Sequence, residues 1–236
     1  GEAARSLWTQ GPSHYDTGTN KFAYTTYELT STNQAALQKS LNVSTSTIAG
    51  TVINYIRGNM TTRGISDPAE QFYLADIFHS DIIYVGMPLA WKSLYDTSAC
   101  DVNNAASDTD CYKNFYLTHA SRQKAVYMGT NDGVIHQVNA DQTGATAGYE
   151  LSGFIPDEVL PRLKNIAINS DFTYTTDGRM TAADIYSPTN KWQTVLVFGL
   201  REGGKAYYCR NISNPASTSF KWKFPEYVAA ATIASK

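Results

Sequence analysis

What this chain lacks narrows its class before any motif is read. No run of apolar residues approaches the roughly 20 that a membrane-spanning helix needs, and there is neither a secretory signal nor a prenylation motif. The expectation is that a signal has been removed or that the chain begins inside a larger one. Charge of one sign is scarce too. Lys and Arg number 19 against 21 Asp and Glu, a formal net charge of -2. The clustered cations that nucleic acid requires are therefore missing, and no nucleic-acid partner is expected. Cysteines number three, none adjacent to another, and the short Cys-x2-Cys or His pairs of a zinc site do not occur.

What is there favours strands. The 236 residues are 42% hydrophobic and 17% charged, an ordinary globular balance with room for one large β domain or two small ones. Aromatics reach 12%, mostly 16 Tyr, beside 16 Gly and many Thr, Ser and Asn. That mixture suits strands joined by turns better than helices.

The stretch from Arg122 to Leu163 organises the rest. Ala125 to Met128 and Val134 to Val138 are short β-branched and aromatic runs separated by Gly129-Thr130-Asn131-Asp132-Gly133, a tight reversal signalled by Asp-Gly. A second polar turn, Asn139 to Gly144, lets Tyr149 to Phe154 return as a third strand. Related units recur: Ile83-Tyr84-Val85-Gly86, Val126-Tyr127-Met128-Gly129 and Leu196-Val197-Phe198-Gly199 are apolar strands ending in glycine. A small β-meander repeated at intervals of tens of residues marks a β-propeller or related radial array. The expected organisation is lead-in strands and helices over 1–60, then propeller blades over 61–236 amounting to about three repeat units. Three blades do not close a ring, so further blades are expected before Gly1 or beyond Lys236.

Along the chain, Ala23 to Leu29 reads as a strand and Thr30 to Leu41 as a short helix. Thr47 to Arg57 is a second helix, with its apolar stripe on Ile48, Val52, Ile53, Tyr55 and Ile56 and a stop at Gly58. Pro156 and Pro161 bracket a helical turn. Thr173 to Thr176, Thr181 to Tyr186, Trp192 to Phe198 and Phe220 to Phe224 read as strands, with Asp177-Gly178 a further turn.

Few residues invite chemistry. Asp76, His79, Ser80 and Asp81 interrupt an apolar run and raise the question of a catalytic or metal constellation, against the plainer reading of a turn whose side chains bond the backbone. His136 reads as an ordinary strand histidine, and His14 and His119 lack carboxylates at metal spacing. Cys100 and Cys111 enclose the ten-residue loop DVNNAASDTD. A disulfide between them would restrict it, the alternative being two reduced thiols. Within that loop Asp101, Asn103, Asp108 and Asp110 are calcium candidates, against a simply solvated loop, because calcium ligands come at tighter offsets with a glycine for the turn. Cys209, on a strand, reads as a buried inert thiol.

Several motifs in fixed order resemble the C-terminal domain of the PilY1 family of type IV pilus biogenesis factors and tip-associated adhesins. Val52-Ile53-Asn54-Tyr55-Ile56-Arg57-Gly58 is similar to the family's VNWLRG-type helix end, and Ala75 to Ser80 with Ile83 to Gly86 to its GDIVHS...VYVG. Val126 to His136 is similar to VYVGANDGMLH, Phe154 to Pro161 to FIPSEVLP, and Val195 to Gly199 with Gly203-Gly204 completes the set. Hairpin motifs of this kind also occur in quinoprotein propellers, whereas the ordered set, FIPDEVLP above all, is specific. The resemblance implies a mainly β chain forming part of a modified, quinoprotein-like β-propeller with short helical insertions. It also implies export, to a pilus tip, the cell surface, the outer membrane or the periplasm. Its role would be pilus assembly, extension and retraction, and attachment, through minor pilins, the pilus tip complex, a host or abiotic surface and the remaining blades of the parent protein. The family's regulatory calcium loop, D-x-D-x-D-x-x-x-D, has no match here, so no cofactor is expected in this chain. No enzymatic activity is expected. Two rival readings stand: a periplasmic quinoprotein dehydrogenase, which would need a cofactor-sandwiching tryptophan, a metal-binding carboxylate and the vicinal cysteines that this chain lacks, and a propeller that serves only as an outer-membrane assembly scaffold.

Overall fold

A computed structural model of the chain describes residues 5–16, 21–59, 61, 74–90 and 110–225. The chain enters through a hairpin, β1 (Leu7–Asp16) and β2 (Lys21–Glu28), paired antiparallel with one bulge between Pro12 and His14. A short helical passage follows, ending in α1 (Gln34–Leu37), and then α2 (Ser46–Ile56). Thr45 caps α2, its hydroxyl accepting from the Ile48 amide at 3.2 Å. Ala49, Val52, Ile53 and Ile56 form the buried stripe, and Gly58 ends the helix at φ 100°, a left-handed conformation that glycine adopts without strain.

The first meander then begins with β3 (Ile82–Val85). An insertion carrying α3 (Tyr112–His119) separates it from β4 (Ala125–Gly129), β5 (Ile135–Asn139) and β6 (Glu150–Ile155). Tyr112, Asn114 and Phe115 are the buried residues of α3. Strand alternation does the sorting: in β4, Ala125, Tyr127 and Gly129 are buried while Val126 and Met128 are half-buried. All pairings from β3 to β6 are antiparallel, and β1 joins the outer edge of β6 in parallel, Leu7 to Thr9 facing Gly153 to Ile155. The result is a six-stranded sheet in the order β2-β1-β6-β5-β4-β3. Gly153 has a packing reason: an added Cβ would sit 2.6 Å from Leu7 Cδ2 and from Val134 Cγ1.

After α4 (Leu160–Lys164) and a wide π-helical turn over Asn165–Asn169, the second sheet is a plain antiparallel meander. Its strands are β7 (Met180–Ser187), β8 (Lys191–Gly199), β9 (Tyr207–Asn211) and β10 (Ser219–Phe224), in sequence order. One core joins the sheets. Phe154 of the first lies edge-on to Phe198 of the second at 6.2 Å, and Phe198 stacks on Tyr208 at 5.4 Å. Side chains of this size dominate core energetics through the apolar area they bury.

The architecture is mainly β, and neither sheet closes on itself among the described residues. Two expectations differ in detail. Two of the three glycine-ended strands, β3 and β4, are antiparallel neighbours in one meander, Ile82 facing Met128. The long insertion hides this adjacency in the sequence. Residues 173–176 form no ladder, because Thr175 and Thr176 spend their polar groups on the β4–β5 turn instead.

Candidate functional site

Of the polar side chains singled out by sequence, Asp76, His79 and Ser80 converge on the joint between the two sheets. At its centre is the turn from Gly129 to Gly133, which Gly133 closes at φ 95°. Thr130 N donates to Thr176 Oγ1 at 2.9 Å, and Thr176 Oγ1 lies 2.6 Å from Thr130 O and 3.0 Å from Val134 O. Asn131 ties in the segment before β3, its Nδ2 donating to Asp76 Oδ2 at 2.7 Å, while Ser80 Oγ accepts from Gly129 N at 3.0 Å. His79 then reaches the buried Asp177, with Nδ1 at 2.7 Å from Oδ2 and its backbone N donating to Oδ1 at 3.1 Å. Arg201 joins them at 3.2 Å from the same Oδ2 and in contact with His79. So Asp76, His79 and Ser80 act as ties. Each bonds a turn or a buried carboxylate of another element, and none of them is arranged as nucleophile and base.

A second network runs behind the turn. Arg5 Nε donates to Glu150 Oε2 at 2.6 Å, His136 Nδ1 lies 2.6 Å from Glu150 Oε1, and His136 Nε2 lies 3.2 Å from Asp132 Oδ2. Burial alone would lower the His136 pKa, but the flanking Asp132 and Glu150 outweigh it and raise it to about 9. Burial would likewise raise Glu150, yet Arg5 and then His136 bring it down to about 2. His136 is thus protonated and Glu150 ionised at neutral pH. His136 is therefore no ordinary strand histidine. It clamps β5 to β6 and, through Arg5, to the chain before β1.

The FIPDEVLP stretch carries a third set of ties. Asp157 accepts from Tyr208 OH at 2.6 Å and from Lys223 Nζ at 2.8 Å, and Glu158 accepts from Lys205 N at 2.8 Å. Lys223 also sits 3.3 Å from Glu158 Oε1, an ion pair without hydrogen-bond alignment. Val159, Leu160 and Leu163 fill the core beneath. The motif most specific in sequence is therefore a hinge block binding the first sheet to β9 and β10.

Of the loop candidates, Cys100, Asp101, Asn103 and Asp108 lie outside the described residues. Asp110 is exposed and its carboxylate is engaged: Lys191 Nζ at 2.7 Å and then Tyr186 OH at 2.8 Å hold its pKa below the usual value. Cys111 is disulfide-bonded. Cys209 is buried and free, and burial pushes its thiol up to about 11. His119, half-buried against Phe115, is pushed below its ordinary pKa by burial and then by Arg122. The His14 side chain is outside the described residues, and Asp81 is half-buried. Among the described residues no cluster of three or more His, Cys, Asp or Glu could hold a metal ion, and no helix is long and apolar enough to cross a membrane.

No family model matches the chain. It is 31% identical over 175 residues to a type IV pilus biogenesis factor PilY1 homolog of Xylella fastidiosa, covering 72% of this chain and 13% of that protein. It is 26% identical over 176 residues to the PilY1 of Pseudomonas aeruginosa strain UCBPP-PA14, covering 73% of this chain and 14% of that protein. The chain thus spans about a seventh of the length of these relatives. The crystal structure of the P. aeruginosa PilY1 C-terminal domain matches 60% of this chain and 24% of that one, at 26% identity and a TM-score of 0.40. With its motifs in family order, its FIPDEVLP block tying the sheets together and a sequence match across most of its length, the chain belongs to the PilY1 family.

Proposed function

We propose that the chain acts in type IV pilus biogenesis as an exported, pilus-tip-associated adhesin, working by binding and without chemistry of its own. The observation that carries this reading is the match to PilY1 relatives over 72% of the chain. In the proposal the two meanders are adjacent blades of a modified β-propeller. Supporting that arrangement, the first strands of each meander, β3 and β7, lie side by side, as neighbouring inner strands do. The propeller holds loops stiffly towards minor pilins and a host or abiotic surface, and the insertion between Cys100 and Cys111 is one of those loops. Pairing of those two cysteines restricts it.

The test is affinity purification of the protein from cross-linked source cells. Recovery of minor pilins above the level seen with an unrelated exported protein supports the proposal. Recovery of none, with pili intact on the same cells, contradicts it.

A further inference from the structure

Between the β1–β2 hairpin and the β9–β10 edge of the second sheet lies a cleft of about 620 Å³, within the range of small-molecule sites. Its wall is mostly hydroxyls and amides, and Arg210 is the one charged residue in it among the described residues. Arg210 is 9% exposed. Its Nη2 donates to Thr218 Oγ1 at 2.8 Å and its guanidinium lies 4.1 Å from the centre of the Phe154 ring, yet no described carboxylate pairs with it. Two other buried cations do have one: Arg5 has Glu150 and Lys223 has Asp157. A guanidinium has five N–H donors, and a buried cation without a counter-charge is costly to keep.

Two further groups are left open in the same region. Gln10, which lines the cleft, has a buried side-chain oxygen without a hydrogen-bond partner. So has the Tyr127 hydroxyl, in a void of about 10 Å³ that shares Ser152, Arg210 and Thr218 with the cleft. Trp8 and Phe220 add carbon-rich faces to the wall.

We propose that this cleft binds a small hydroxylated ligand carrying one carboxylate, the chemical class of the acidic sugars, with Arg210 as its anchor. The carboxylate pairs with the guanidinium in the fork geometry such groups favour, a ligand hydroxyl donates to Gln10, and the C–H face of the ring lies against Trp8 or Phe220. The site does not depend on the pilus reading, because it concerns binding by this chain in isolation from any assembly.

Calorimetric titration of the intact protein with glucuronate, glucose and inorganic phosphate tests it. Glucuronate is expected to bind, with glucose at least about 10-fold weaker, as loss of a charge-assisted contact implies. Arg210→Met removes the anchor. Thr218→Asp instead supplies an internal carboxylate beside it, so the fold is kept while the site is filled, and glucuronate affinity drops by a similar factor. Failure of glucuronate to bind, equal affinity for glucose or phosphate, or unchanged affinity in Thr218→Asp would each overturn the proposal.

Discussion

His136 shows what a single residue's surroundings can do that its neighbours in sequence do not reveal. Its partners are Asp132, close by, and Glu150, which is itself held by Arg5. Only the parallel pairing of β1 with β6 brings Arg5 there, so no local spacing rule could have found the chain of four charges. Its energetics are testable by substitution. Glu150→Gln leaves Arg5 and His136 short of a partner, and a broken buried pair costs about 3–5 kcal/mol. Because Glu150 is 18% exposed, the lower end, about 3 kcal/mol, is expected in urea unfolding. The pH dependence has a definite sign. His136, raised from 6.5 to about 9, contributes stability that is full below 6.5 and lost as pH rises through 9. Glu150, lowered from 4.5 to about 2, contributes stability that is full above 4.5 and lost as pH falls towards 2. The urea midpoint should therefore be highest between pH 4.5 and 6.5 and fall on both sides, and Glu150→Gln should flatten both limbs.

Among the elements, those built on period alone were legible. The apolar stripe of α2, the alternation in β4 and the Asp-Gly reversal between β4 and β5 all follow from local pattern. Elements that depend on distant partners were not. The second Asp-Gly pair makes no hairpin; Asp177 is buried under His79 and Arg201, and an added Cβ on Gly178 would collide with the Gly199 carbonyl. Residues 173–176 have strand-like composition yet bond the β4–β5 turn, and the turn of α3 onto the second sheet rests on Tyr112 OH lying 2.7 Å from Asp184 Oδ2. Thr176→Val tests the joint: it removes the hydroxyl bonded to Thr130 N, Thr130 O and Val134 O, and because the Thr130 amide keeps Val134 O at 3.1 Å, the expected cost is that of an ordinary hydrogen bond, about 0.5–1.5 kcal/mol. Gly203→Ala should be worse than Thr176→Val, because its Cβ would meet the backbone carbonyl of Thr175, which cannot swing aside as a side chain can. Differential scanning calorimetry of the two variants gives the order directly.

For the molecule as a whole, the two meanders share one core but leave strand edges open among the described residues. On β3, at the end of the six-stranded sheet, Ile82 and Tyr84 are 61% and 60% exposed. Apolar side chains on an edge strand are a known association hazard. The chain of residues 1–236 by itself should therefore associate as concentration rises, and Ile82→Lys should reduce the association seen by light scattering. The sequence carried the family through the order of its motifs. It did not carry the three-dimensional reason for that order, in which FIPDEVLP, the β4–β5 turn and the segment before β3 meet at one joint.

The most direct test of the pilus reading is the amount of surface pilin sheared from source cells whose chromosomal gene carries Gly203→Ala, compared with wild type. If the joint is what positions the binding loops, surface pilin falls sharply and is restored by the unaltered gene. Wild-type pilin levels, in cells where the altered protein is shown to be misfolded, would contradict a role in pilus biogenesis.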